Sequence, residues 1–106
     1  MNERHFSNFH IAGFTYYNGI DVFDQLKVGG VLNAVAEPDN KFDPYAVILL
    51  YNDVKLGYIP RTHNHDIHKF LIMGYDNLFD FRINRIDATE NPENQIGVLA
   101  RIRKRE

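Results

Sequence analysis

The chain has 106 residues, 44% of them apolar and 25% charged, with a formal charge of −2 and a pI near 6.2. This length fits one domain, residues 1–106, with a single modest core. Cysteine is absent, which excludes disulfides, thiol nucleophiles and thiolate metal sites, and the acidic balance argues against a broad electrostatic grip on duplex DNA while leaving room for a small site on a few nucleotides.

The opening "MNERHFSNFH" lacks the basic-then-apolar order of a secretory signal. No apolar run approaches membrane-spanning length, so the expected location is cytoplasmic, without a membrane partner. The first strand is expected over residues 9 to 17, "FHIAGFTYY", from its aromatic content. "NG" at 18 and 19 breaks it. "IDVFDQL", residues 20 to 26, makes one short helical turn with Asp21 as its cap. After "GG" at 29 and 30, "VLNAVAE" alternates as a second strand, residues 31 to 37.

A loop follows, "EPDNKFDPYAV", residues 37 to 47, in which prolines and Asx residues surround a solitary Phe42. "YAVILLY", residues 45 to 51, reads as a central strand covered on both faces. "ND" at 52 and 53 is a tight turn into "VKLGYI", residues 54 to 59, where Gly57 marks a bulge or the close approach of another backbone. Pro60 ends this strand. The main helix is expected at about 64 to 73, capped by Thr62 or Asn64, with Ile67, Phe70 and Leu71 on one face and Gly74 as its stop. "LFDFRINRID", residues 78 to 87, alternates strictly, with Phe79, Phe81 and Ile83 sharing one side. "QIGVLARIR", residues 95 to 103, is the last strand, and the basic tail "ARIRKRE" reads as a solvated end. The class is mainly β: a small, closed or nearly closed six-stranded barrel with one main α-helix and a short helical turn.

Among candidate sites, "HNHDIH" gathers His63, His65 and His68 around Asp66. Imidazole and carboxylate suit zinc or nickel, but the run lacks the metalloprotease spacing and sits where polar residues collect at a helix start. It reads as a solvated first turn, and no cofactor is expected. A zinc-dependent hydrolase built on these histidines is the least supported reading. Neither a catalytic triad nor a phosphate-binding glycine loop has the context it needs.

The aromatics carry more. Tyr16 and Tyr17 close the first segment, and neighbours in a strand face opposite ways, so one should point inward and one outward. If Phe42, Tyr58 and Arg61 meet them at one barrel end, rings, a carboxylate from Asp43 and a guanidinium would suit a nucleotide. The alternative makes Phe42 a lid on the barrel core.

"GFTYYNG", "EPDNKFDPYAV" and "LGYIPRTHN" stand in the order and spacing of the HIRAN domain, and from about Phe9 to Phe81 the chain resembles that family, found in some SWI/SNF-type helicases and as small stand-alone bacterial proteins. The resemblance implies an OB-like β-barrel that binds the 3′-hydroxyl end of single-stranded DNA, in DNA repair or replication-fork processing, with helicase or nuclease proteins as partners. By matching motif it implies that Tyr16 and Phe42 hold terminal bases, Asp43 receives the 3′-hydroxyl and Arg61 contacts phosphate, with Tyr17, Asn40 and Tyr58 beside them. Three positions depart from the DNA-binding members: Phe42 stands where they have Tyr, Thr15 where the helicase version is basic, and Tyr58 where it has His. No helicase motif is present, so no enzyme activity is expected of this chain. The competing expectation is a non-catalytic protein-interaction or structural barrel whose pocket binds no DNA.

Overall fold

The polar segment Glu3–His10 forms the first strand, β1, paired antiparallel with the last, β6 (Ile96–Arg103). The computed structural model of the chain describes residues 3–104. Between these two strands come β2 (Val31–Ala36), β3 (Val47–Tyr51), β4 (Val54–Tyr58), α1 (His65–Ile72) and β5 (Phe79–Ile86). The six strands make one antiparallel sheet in the order β1-β6-β5-β2-β3-β4. This is the expected mainly-β, OB-like architecture, although β4 and β1 share no full ladder. A single bridge joins the ends of the sheet just beyond β1: Ala12 N–H donates to the Tyr58 carbonyl at 2.8 Å, and Tyr58 N–H to the Ala12 carbonyl at 2.9 Å. Gly57 (φ 155°) sits at this seam, where a Cβ would collide with the Ala12 carbonyl oxygen. It also lies beside a register shift between β3 and β4, so both readings of Gly57, bulge and close approach, hold.

The expected strand over 9 to 17 is corrected. The strand lies earlier, and residues Phe14–Tyr16 form a 3₁₀ turn instead. Gly13 takes a left-handed conformation (φ 71°) and turns the chain, with Tyr16 N–H donating to the Gly13 carbonyl at 3.0 Å. Phe14 is then a buried plug rather than a strand residue. β1 hides its alternation because the register shifts between His5 and Ser7 and because an edge strand keeps polar residues on its open side. A second 3₁₀ helix spans Asn18–Gln25, with Asp21 inside its first turn and not at its cap.

Asn52 and Asp53 both adopt positive φ, 49° and 67°, as a two-residue hairpin turn between β3 and β4 demands. β3 lies between β2 and β4 and buries Val47 and Leu49 completely, whereas Ile48 and Leu50 on its other face are half covered. It is thus covered fully on one face only.

Neither expected helix cap is used: Asn64 precedes α1 with no side-chain capping bond, and Thr62 Oγ1 instead pairs with His63 Nδ1 at 2.8 Å. The C-terminus ends as foreseen. Gly74 (φ 92°) donates to the Leu71 carbonyl and Tyr75 to that of Phe70, while the Phe70 and Tyr75 rings lie 6.1 Å apart across the motif. The buried face of α1 is Ile67, His68 and Leu71; Phe70 stays partly exposed, its ring 5.9 Å from that of Phe79.

The core joins Ile11, Phe14, Leu32, Val47, Leu49, Leu56 and Ile59 to Phe79, Phe81, Ile83 and Val98. Aromatic edges fix one side of it, with Phe6 5.2 Å from Phe79 and Phe79 5.7 Å from Phe81. The basic tail is not a free end as far as Arg103: Arg101 and Arg103 are strand residues that reach Glu3, and Arg103 also reaches the buried Asp80 at 3.4 Å. The last two residues lie outside the described ones. Among the described residues no helix is long and apolar enough to cross a membrane.

Candidate nucleic-acid interface

The loop between β2 and β3 is closed at its base, where Glu37 N–H donates to the Ala46 carbonyl at 2.8 Å. Inside it, Asn40 Oδ1 accepts two backbone N–H groups, from Phe42 at 2.8 Å and Asp43 at 2.9 Å. Arg61 Nη2 then donates to the Phe42 carbonyl at 2.8 Å. The backbone of Phe42 is therefore held at its N–H, at its carbonyl and at the next N–H, while its ring stands 84% exposed. A lid over the core would be buried; Phe42 is instead a ring presented to solvent by a fixed loop. Prolines 38 and 44 reduce the freedom such a loop must lose on ordering.

Asp43 is more deeply committed than its sequence suggests. Its Oδ1 accepts from Tyr45 N–H at 2.9 Å, closing an Asx turn, and its Oδ2 accepts from Asn64 Nδ2 at 2.8 Å. Arg61 Nε lies 3.8 Å from the same Oδ2. Asn64 is wholly buried, and among the described residues its Oδ1 has no partner. The bond from Nδ2 orients the side chain toward Asp43, so its Oδ1 makes no cap bond to the helix N–H groups.

Loop and seam form a pocket of about 460 Å³, lined by Gly13, Tyr17, Asn40, Phe42, Asp43, Tyr58 and Arg61, together with Lys41, Ala12 and Pro60. That volume is in the range of small-ligand sites. Six of the seven expected residues thus converge. The seventh, Tyr16, does not line the pocket. It stands 86% exposed over an adjoining hollow with Thr15, Pro92 and Glu93, which shares Ala12 and Gly13 with the pocket. One tyrosine of the pair does point out and the other in, but through a 3₁₀ turn and not through strand alternation.

Behind the pocket lies a network that the sequence did not reveal. Tyr17 and Tyr58 meet edge to face at 5.6 Å, and Lys55 Nζ lies 4.2 Å and 4.5 Å from their two centroids. Lys55 Nζ donates to Tyr58 Oη at 2.9 Å, and Tyr58 Oη donates to Glu37 Oε1 at 2.8 Å. Asn40 Nδ2 donates to the same carboxylate oxygen at 3.1 Å. Burial pushes the Glu37 carboxyl up, but the hydrogen bonds from Tyr58 and Asn40 and the Lys55 charge outweigh it, so its pKa falls below the ordinary value. Burial, and then the bond to Glu37, push the Tyr58 hydroxyl well above its ordinary range. Glu37 fixes which way the Asn40 amide points and so holds the loop. Its only signal in sequence is a carboxylate three residues before an asparagine, and a lysine on a hairpin strand such as Lys55 gives none.

The histidines separate. His63 tilts against Phe9, His65 stacks on Tyr45 with centroids 4.0 Å apart, and His68 is buried, with Nδ1 3.1 Å from the Ala46 carbonyl. The solvated-turn reading fails for His68, which supports the base of the loop. Among the described residues no three His, Asp or Glu side chains come within reach of one metal ion.

A HIRAN domain family model matches residues 5–102. No curated protein matches the chain. Among solved structures, a protein from Lactobacillus plantarum superposes with a TM-score of 0.81 at 18% identity, over 97% of each chain. The HIRAN domain of human HLTF superposes with a TM-score of 0.71 at 12% identity, over 99% of this chain and 82% of that one. At these identities the structures speak for the fold, and the family model, which spans nearly all of the chain, speaks for kinship: this chain belongs to the HIRAN domain family.

Proposed function

We propose that this chain is a non-catalytic nucleic-acid-binding module that captures the 3′-hydroxyl end of single-stranded DNA. The observation that carries the reading is Phe42: a large exposed ring, pinned through its backbone, directly beside the Asp43 carboxylate. Membership of a family of nucleic-acid-binding domains supports it. Phe42 stacks on the terminal base, Tyr16 extends the stacking surface from the neighbouring hollow, and Tyr17 and Tyr58 form the inner wall. Asp43 accepts the hydrogen of the terminal hydroxyl. A carboxylate there repels a terminal phosphate, which gives the site its preference for a free end. Arg61 spends one donor on Phe42 but stays 70% exposed, so the rest of its guanidinium faces the strand and takes a backbone phosphate. Asn40 acts first through the loop, its Oδ1 holding two backbone N–H groups and one Nδ2 hydrogen bonded to Glu37, which leaves a second Nδ2 hydrogen for the strand. Work at DNA ends, in repair or at replication forks, would place such a module in the cytoplasm beside helicase or nuclease proteins that carry the catalysis.

Fluorescence anisotropy with short 3′-hydroxyl oligonucleotides tests this. Arg61→Ala should weaken all oligonucleotides alike and lower the salt slope by about 0.7 per lost phosphate contact. Unchanged affinity and salt slope in Arg61→Ala would place the DNA elsewhere.

A further inference from the structure

A larger groove of about 780 Å³ lies on the other side of the seam, and Ala12 and Pro60 line both it and the end pocket. These two shared residues carry no charge, so the two depressions adjoin without a charged barrier at Ala12 and Pro60. Phe9 adds an apolar patch to the groove, and β1, β5 and the 3₁₀ turn Pro92–Asn94 supply the polar side chains of Asn8, His10, Asn84, Arg85 and Asn94. Asn8, Asn84 and Arg85 are exposed.

A defect in the sheet builds this lining. Successive strand residues point to opposite faces, so Asn84 and Arg85 should not share a surface. The register between β5 and β6 shifts between Ile83 and Arg85, leaving Asn84 as the extra residue opposite Gly97. Such a bulge re-aims side chains and is common beside functional sites. Gly97 completes the device: a Cβ there would lie 2.7 Å from Asn84 Oδ1 and 3.2 Å from Arg85 Cβ. Without a side chain at 97, both residues turn into the groove.

We propose that this groove is a second nucleic-acid subsite, which takes the nucleotides 5′ of the captured end as the strand passes over Ala12 and Pro60. The inference rests on the end-capture reading for the strand's polarity. Arg85 neutralises a backbone phosphate, and the amides of Asn8 and Asn84 bond to base edges or sugar. Glu93, which also lines the groove, disfavours phosphate beside its own carboxylate and so favours Arg85 as the phosphate contact. A combined site of this kind would fall at the small end, about four nucleotides, of what one OB-type barrel covers.

Anisotropy with 3′-hydroxyl oligothymidylates of two, four, six and eight residues tests this on the intact chain. Affinity should rise about tenfold or more from two to six residues in the parent. In Arg85→Ala and in Asn84→Ala/Arg85→Ala the dimer should bind as in the parent, while the gain with length shrinks to about threefold or less. The salt slope for the hexamer alone should fall by about 0.7 in either variant. Among the described residues the Arg85 guanidinium pairs only with Asp87, at the surface and at 3.3 Å, so these variants should keep the parent's thermal midpoint. A gain with length that survives both substitutions overturns the subsite and leaves the end pocket intact. A gain that is lost with Arg85 while a terminal phosphate binds as well as a terminal hydroxyl supports the groove and overturns end capture instead.

Discussion

Asn64 and Asp43, twenty-one residues apart, are joined by a 2.8 Å hydrogen bond from the Asn64 amide to Asp43 Oδ2. The bond ties the start of α1 to the loop that presents Phe42, across the position where a helix cap would otherwise form. Helix and loop therefore form one mechanical unit.

Breaking that bond should loosen both. We predict that Asn64→Ala lowers stability by roughly 1.5–3 kcal/mol, the usual contribution of a hydrogen bond to a charged group. In a domain of this size each kcal/mol is about 4–8 °C of thermal midpoint. Asn64→Asp should cost more, because it sets two carboxylates together in a buried place. Thermal melts followed by circular dichroism decide it. An Asn64→Ala midpoint equal to the parent's would mean that the bond holds nothing.

Phe42 should behave in the opposite way. Its ring is exposed, so Phe42→Ala should change stability by no more than about 0.5 kcal/mol. Oligonucleotide affinity should nevertheless fall by about 1–3 kcal/mol of stacking, or roughly 5- to 150-fold. Tyr16→Ala should show the same separation of binding from stability. Parent-like binding by Phe42→Ala would remove the stacking role.

Glu37 gives the pocket a pH signature. Its pKa is lowered in the folded protein, so the unfolded chain binds the proton more tightly. The Glu37 contribution to stability is therefore fully present above the unfolded value, 4.5, and is lost as pH falls through the depressed folded value. Glu37→Gln lacks that contribution at every pH. The midpoint difference between parent and Glu37→Gln should be widest near neutrality and narrow below pH 4.5. A difference independent of pH would show that the carboxylate charge is not what holds Asn40 and Tyr58.

The seam supplies a fourth test. Gly57→Ala forces a methyl group against the Ala12 carbonyl and should break the Ala12–Tyr58 bridge, at a cost of roughly 1–3 kcal/mol. Amide hydrogen exchange at Ala12 and Tyr58 should quicken more than exchange in β6. Protection unchanged at both amides would contradict the seam.

Much of this architecture is legible in the sequence because local chemistry and tertiary need agree. The apolar alternation of Phe79, Phe81 and Ile83 gives β5, "ND" gives the hairpin and Gly74 gives the end of α1. The errors fall where tertiary context overrides the local pattern. The aromatic run after Phe9 looks like a strand, yet Gly13 turns it and Phe14 becomes a plug. β1 is almost invisible, since its edge position permits polar residues and a bulge breaks its period. Six of the seven expected pocket residues meet because the loop motif and the residues after Pro60 are local signals. The Lys55–Tyr58–Glu37–Asn40 chain is not legible, because its members lie on two separate segments, β4 and the loop after β2, and each is ordinary alone. The role of Asn64 was hidden by a plausible one: an asparagine before a helix reads as a cap.

Asp43 holds the loop as well as facing the pocket, so its substitution would confound folding with recognition. End recognition is therefore best tested by changing the DNA. The parent protein should be titrated with one short single-stranded sequence ending in a 3′-hydroxyl, a 2′,3′-dideoxy terminus or a 3′-phosphate. Loss of the terminal hydroxyl should weaken binding by roughly 1.5–3 kcal/mol, about 10- to 150-fold, and the phosphate should weaken it further. Equal affinity for all three ends would contradict end recognition by this pocket.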